Sequence, residues 1–91
     1  MQIAWTDKAQ SDLARLYAFL APASPRAAAG VVQKIIAGTQ MLGEQPRIGA
    51  PLSEFAPRDV RRLIVGDYEI RYEIAGNLAY IVRLWHTRED R

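Results

Sequence analysis

The chain has 91 residues, 49% of them hydrophobic, and no cysteine, which fits one globular domain that needs no disulfides and leaves no length for a second. Twelve basic residues against ten acidic ones leave a net charge of +2, too little for indiscriminate binding to nucleic acid. No apolar run nears the roughly 20 residues that span a bilayer, and Met1-Gln2-Ile3-Ala4-Trp5 has neither a basic region nor a long apolar stretch, so a cytoplasmic protein without a membrane partner is expected.

An extended start over 2–5 runs into Asp7-Lys8-Ala9-Gln10, where Asp7 is expected to cap a first helix and Gln10, three residues on, makes a variant of the capping box. Ala9, Leu13, Leu16, Tyr17 and Leu20 then recur on one helical face, which predicts a core stripe with Asp12 and Arg15 off it. Pro22-Ala23-Ser24-Pro25 stops that helix and starts another, with Ser24 as N-cap and Pro25 in the first helical position, where a missing N–H costs nothing. Ala28, Val31, Val32, Ile35, Ile36 and Leu42 carry the helical spacing on, and Gly43 with Pro46 closes it. The two segments predict an antiparallel helical hairpin.

Residues 44–59 hold Pro46, Gly49, Pro51 and Pro57 with little periodicity and read as one connecting loop. Beyond it the period falls to two, which predicts strands over 60–65, 68–74 and 78–85 in a meander, broken by Gly66-Asp67 and Ala75-Gly76-Asn77. The middle strand sets Tyr68, Ile70, Tyr72 and Ile74 on one face and Glu69, Arg71 and Glu73 on the other. One face is expected to meet the helices and the other water or a partner. With the first strand joining the sheet, the architecture is β-α-α-β-β-β, an α+β fold with the hairpin packed on a small, mainly antiparallel sheet.

Arginine dominates the chemistry. Ten of the twelve basic residues are arginine, and all eight basic residues after position 45 are. A planar fork of donors suits phosphates and carboxylates but cannot readily serve as a base. Arg61, Arg62, Arg71, Arg83, Arg88 and Arg91 lie on or beside the predicted strands, and several share a face if register allows. Two readings stand side by side: an anion- or partner-binding surface, for which the near absence of lysine speaks, and a solvated face paired with Glu69, Glu73, Asp67 and Asp90. Trp85 beside the cluster is either a stacking or anchoring residue or part of the core. His86, the one histidine, is either a proton shuttle or a strand-ending residue bonded to nearby backbone. With no cysteine, no second histidine and no ligand-like carboxylate spacing, no metal site is expected. Ser11, Ser24 and Ser53 lack a nucleophile elbow, and no phosphate-cradling or dinucleotide glycine motif is present, so no cofactor is implied.

A set of motifs recurs in a telling order: Trp5-Thr6-Asp7-Lys8-Ala9 leading into Asp12-Leu13, the Ser24-Pro25-Arg26-Ala27-Ala28 break, Pro46-Arg47-Ile48-Gly49, Arg62-Leu63 followed by Tyr68-Glu69-Ile70-Arg71-Tyr72, and the ending Leu84-Trp85-His86-Thr87-Arg88. Together they resemble the RelE/ParE superfamily, the toxins of bacterial type II toxin–antitoxin pairs, over nearly all 91 residues. The resemblance implies the same β-α-α-β-β-β fold and a cognate antitoxin, bound in a hetero-oligomer. It also implies one of two targets, DNA gyrase for ParE-like members or mRNA on the ribosome for RelE-like endoribonucleases.

The chain departs from the RelE pattern. Val60, Arg61 and Arg62 stand where such enzymes place lysines, Glu69 stands in place of an arginine, and no tyrosine follows in the tail. Glu69 there would repel the scissile phosphate rather than stabilise its developing charge. Arg88 matches a family arginine, and His86 stands near a histidine of some relatives. The resemblance therefore points to the ParE branch: a binding toxin with no catalytic residue of its own, inhibiting gyrase through Arg61, Arg62, Arg71, Arg83, Trp85, Arg88 and Arg91, which meet target or antitoxin. The alternatives are a ribonuclease using His86, Arg88 and Arg62, and an inactive homologue that only binds its antitoxin.

Overall fold

The computed structural model describes residues 1–89. In chain order its elements are β1 (Gln2–Trp5), α1 (Asp7–Leu20), α2 (Pro25–Gln40), β2 (Ala50–Pro51), β3 (Asp59–Val65), β4 (Tyr68–Ala75) and β5 (Leu78–His86), with 3-10 turns at Met41–Gly43 and Ser53–Phe55. One sheet has the order β1-β5-β4-β3-β2. β1 runs parallel to β5, and the other pairings are antiparallel. The two helices pack on one face, over a core that includes Leu16, Ile35, Leu42, Ile70, Tyr72, Ile81 and Leu84. The β-α-α-β-β-β order expected from the sequence is present, with β2 as an addition inside the segment read as loop.

The local signals hold at some positions and shift at others. Ser24 caps α2 as expected, its hydroxyl accepting from the Ala27 N–H at 3.1 Å, with Pro25 at the first helical position. At α1 the cap is Thr6 and not Asp7: the Thr6 hydroxyl accepts from the Ala9 N–H at 3.1 Å and lies 3.1 Å from the Ile81 carbonyl. Asp7 takes the first turn instead, where its charge faces the positive end of the helix dipole. The buried stripe of α1 is also rotated from the expected one. Ala9, Asp12 and Leu16 are buried, whereas Tyr17 is 41% exposed. On α2, Gly38 lies so close to β3 that a Cβ would meet Val65 Cγ2 at 2.6 Å.

Segment 44–59 is not structureless, because polar contacts pin it at several points. The buried Tyr72 hydroxyl donates to the Pro46 carbonyl at 2.7 Å and accepts from the Gly49 N–H at 2.9 Å. The Arg61 guanidinium donates to the Asp59 carboxylate and to the carbonyls of Arg47 and Gly49. These ties bring Ala50 and Pro51 alongside Arg62 and Arg61 as a short edge strand.

β5 carries an irregularity. Arg71 of β4 pairs with Arg83, but the next residue, Tyr72, pairs with Ile81, so Val82 is an extra residue. A bulge of this kind shifts the side-chain alternation by one, and Ile81 and Leu84 both reach the core although they are three apart.

β5 is also longer than its outer neighbour, since β1 pairs only as far as Ile81. Past that point side chains stand in for a strand. Thr6 covers the Ile81 and Val82 carbonyls, Asp12 accepts from the Leu84 N–H at 3.0 Å, Arg15 donates to the Leu84 carbonyl at 3.3 Å, and Glu89 accepts from the His86 N–H at 2.8 Å. An open sheet edge is thereby closed to stray pairing.

Candidate functional site

Register decides which arginines meet. Arg62 pairs with Arg71 and Arg71 with Arg83, so three guanidinium-bearing residues form one row across β3, β4 and β5 on the face away from the helices. Like charges directly opposite one another destabilise a sheet, and the surroundings of the row offset that. Glu69, next on the same face, is 2% exposed, with its carboxylate 3.9 Å from Arg62 and 4.0 Å from Arg71. Trp85, opposite Glu69, is 4% exposed. The Arg71 guanidinium lies 4.9 Å from the Trp85 ring and 5.2 Å from the Phe55 ring, and that of Arg83 lies 5.4 Å from Trp85. Cations over aromatic faces are attracted by the ring quadrupole.

Arg83 also reaches around the sheet edge to α1. Its Nε donates to Asp12 Oδ2 at 2.7 Å and its Nη2 lies 3.3 Å from Oδ1. Burial opposes ionisation of Asp12, but the hydrogen bonds from Arg83 and the Leu84 N–H, with the charges of Arg83 and Arg15, outweigh it and hold the carboxyl below its ordinary range. The same hydrogen bond pushes the Arg83 pKa up.

The expected wet face is thus corrected in part. Its arginines are reachable, with side-chain exposures of 48% for Arg62, 26% for Arg71 and 40% for Arg83, but Glu69 and Trp85 beneath them are buried. Arg61 points to the opposite side, where it holds segment 44–59, and is only 16% exposed. Arg91 lies outside the described residues.

His86 does not share the arginine face. It pairs with Tyr68, and the two rings meet edge to face at 5.2 Å on the helix side of the sheet. Its Nδ1 accepts from the Arg88 N–H at 3.1 Å. There, α1 and the ends of β4 and β5 enclose a cleft of about 490 Å³ lined by Leu16, Phe19, Leu20, Tyr68, His86 and Arg88. Phe19 is 81% exposed. At the rim Glu89 is bound to Arg15 at 2.7 Å. Among the described residues no three His, Cys, Asp or Glu side chains converge as a metal site, and no helix is long and apolar enough to cross a membrane.

Sequence reasoning missed two contributors to the row. Asp12 had a usable signal: a carboxylate three residues after Ala9 and four before Leu16 lies on the stripe those residues define. Phe55 had none, because only the folded path of 44–59 brings it over Arg71.

Comparison with known proteins agrees with the fold. Residues 3–91 match the family described as the ParE toxin of the type II toxin–antitoxin system, parDE. Two similar proteins of Caulobacter vibrioides are named Toxin RelE2, 33% identical over 87 residues with 94% of each chain covered, and Toxin RelE1, 30% identical over 84 residues covering 92% of this chain and 90% of that one. A solved structure of the chromosomal ParDE toxin–antitoxin system of P. aeruginosa superposes with a TM-score of 0.78 at 26% identity, covering 94% of this chain and 95% of the other. The chain belongs to the ParE toxin family of type II toxin–antitoxin systems, within the wider RelE/ParE superfamily.

Proposed function

We propose that this ParE-family toxin acts in the cytoplasm by binding, holding DNA gyrase in an inhibited state through the arginine row, and that a cognate antitoxin neutralises it. One observation carries the reading: the titratable group and the cationic row lie on opposite sides of the sheet. Cleavage of RNA through its 2′-hydroxyl needs a proton acceptor and a charge stabiliser around one phosphate. His86 packs on Tyr68 on the helix side, whereas Arg62, Arg71 and Arg83 occupy the other face with the Glu69 carboxylate among them. Such a face suits charge contacts with a protein–DNA assembly better than phosphate chemistry. The test is a gyrase supercoiling assay run beside mRNA cleavage on translating ribosomes. Inhibited supercoiling with intact mRNA is the expected result; ribosome-dependent cuts that vanish in His86→Ala would overturn it.

The second reading, a ribosome-dependent endoribonuclease using His86, Arg88 and Arg62, draws on the RelE names of the two Caulobacter relatives. Its best local support is the hydrogen bond that sets Arg88 beside His86.

A further inference from the structure

The outer face of the sheet carries its own counter-charges. Arg83 is closed by Asp12, which takes its Nε at 2.7 Å and lies 3.3 Å from its Nη2. Glu69, 2% exposed, sits 3.9 Å from Arg62 and 4.0 Å from Arg71. Three guanidiniums thus face two carboxylates, and the row keeps a single excess positive charge. That excess is most accessible at Arg62, 48% exposed, whose one ion contact among the described residues is to Glu69 and is too long for a hydrogen bond. Two residues along β3 on the same face, Ile64 stands opposite Glu69 and leaves 49% of its surface in water.

We infer that this face takes an acidic segment of the target protein, with a carboxylate in the Arg62 fork and an apolar side chain on Ile64, and that Glu69 keeps nucleic-acid phosphate off it. The inference deepens the reading of the row as the target surface and rests on that reading. Charge density selects the occupant. Neighbouring strands lie roughly 4.8 Å apart, so the three arginines span about 10 Å, over which one nucleic-acid strand carries about three phosphates. A single excess charge does not match three, and the phosphates nearest Glu69 would meet a like charge. A protein segment brings carboxylates one at a time, so one can sit on Arg62 and none need lie over Glu69. A carboxylate also fits a guanidinium through paired hydrogen bonds, the contact that Asp12 already makes with Arg83 in this chain. The exposed isoleucine gains from burial against an apolar side chain, which a phosphate backbone does not offer.

The test has two arms, both in about 150 mM salt, where exposed charges are screened as in the cell. One measures binding of gyrase holoenzyme to the immobilised toxin by biolayer interferometry, with and without DNA. The other follows short labelled single-stranded DNA, RNA and duplex DNA by fluorescence anisotropy, and circular dichroism checks the fold of each variant. The parent is expected to bind gyrase without DNA and to bind the oligonucleotides at least a hundredfold more weakly. Arg62→Ala should weaken gyrase binding at least tenfold and Ile64→Asp at least fivefold. Glu69→Gln keeps the side-chain shape, removes the charge and should raise oligonucleotide affinity at least tenfold. Asp12→Asn, which releases Arg83 from its counter-charge, should give a gain of the same sign and serves in its place if Glu69→Gln does not fold. Gyrase binding within threefold of the parent by both folded Arg62→Ala and Ile64→Asp overturns the acidic-segment contact and leaves gyrase standing as the target. Gyrase binding that requires DNA, or oligonucleotide binding as tight as gyrase binding and lost in Arg62→Ala, assigns the row to phosphate and overturns the inference. No gain in oligonucleotide affinity in either folded variant overturns the part given to Glu69. A parent that neither binds gyrase nor inhibits supercoiling overturns the gyrase reading and the inference with it.

Discussion

Asp12 in the second turn of α1 holds Arg83, 71 residues away, by a 2.7 Å hydrogen bond to its Nε, and with the same oxygen it accepts from the Leu84 N–H at 3.0 Å. One buried carboxylate therefore fastens the first helix to the last strand and orients an arginine on the opposite face. Asp12→Ala leaves the Leu84 N–H without its acceptor and Arg83 without its ion, and is expected to cost about 2–3 kcal/mol, within the range for a lost charge-assisted bond and an unsatisfied buried donor. Asp12→Asn, which keeps an acceptor oxygen, should cost less. Urea unfolding of the three proteins measures both.

The same carboxylate sets a pH dependence. Its pKa in the fold lies below its ordinary 3.8, so the unfolded chain binds the proton more readily. The stabilisation is full above the ordinary value and is lost as pH falls through the folded value. Asp12→Asn should accordingly remove part of the drop in stability between neutral pH and pH below about 4, seen as a smaller gap in urea midpoint between the two conditions than the parent shows.

Within the row, Arg62→Ala is the cleanest probe of target binding, since Arg62 is 48% exposed and its carboxylate neighbour is 3.9 Å away. If its charge is fully used at the target, inhibition of supercoiling should weaken on the order of 10- to 150-fold, the equivalent of about 1.5–3 kcal/mol. Arg62→Lys should recover only part of that, because a point charge does not replace a planar fork. Arg88→Ala, on the cleft side, should leave supercoiling inhibition within threefold of the parent. An unchanged melting temperature shows that the row variants report on binding.

Gly38 offers a prediction with a change of sign. Alanine there would gain roughly 1 kcal/mol of helix propensity, but its Cβ would meet Val65 Cγ2 at 2.6 Å. In the parent Gly38→Ala should destabilise; in a Val65→Ala background the same change should stabilise relative to Val65→Ala alone. Thermal unfolding of the four proteins of this cycle decides it.

Gly49 is constrained differently. A Cβ would lie 2.6 Å from the Tyr72 hydroxyl and 2.7 Å from the Arg62 carbonyl. Tyr72→Phe should cost about 1–2 kcal/mol through the Pro46 and Gly49 partners it loses. It should not rescue Gly49→Ala, because the backbone carbonyl stays in place. A rescue would mean that the hydroxyl, and not the Arg62 carbonyl, sets the limit at this position.

What the sequence made legible was periodicity and punctuation. Ser24-Pro25 marked the start of α2, and Gly66 and Gly76, both at positive φ, marked the two hairpin turns. The alternation of β4 placed Ile70 and Tyr72 in the core and Glu69 and Arg71 opposite. Legibility failed wherever a long-range partner outweighed a local preference. Thr6 displaced Asp7 as the cap because its hydroxyl also meets carbonyls of β5, and Asp12 entered the buried stripe because Leu84 and Arg83 satisfy it there. Segment 44–59 looked structureless because its ties run to Tyr72 and Arg61, whose positions depend on the sheet having formed. The arginine cluster was visible as composition, and strand alternation already set Arg61 apart from Arg62, but only the register lined up Arg62, Arg71 and Arg83 in one row.

The extra residue at Val82 determines which way the end of the chain faces. A regular strand of the same length through Ile81 would turn Arg83 and Trp85 inward and Leu84 and His86 outward, reversing the cationic surface and the floor of the cleft together. Deleting Val82 would keep every later side chain on its present face and opposite its present partner on β4, since Arg71 and Tyr72 already pair with Arg83 and Ile81. It would instead remove the Val82 carbonyl that the Thr6 hydroxyl covers and the local bend of the bulge. Val82 thus acts as a half-step in the strand's count of two, letting Ile81 and Leu84 face the helices from either side of it.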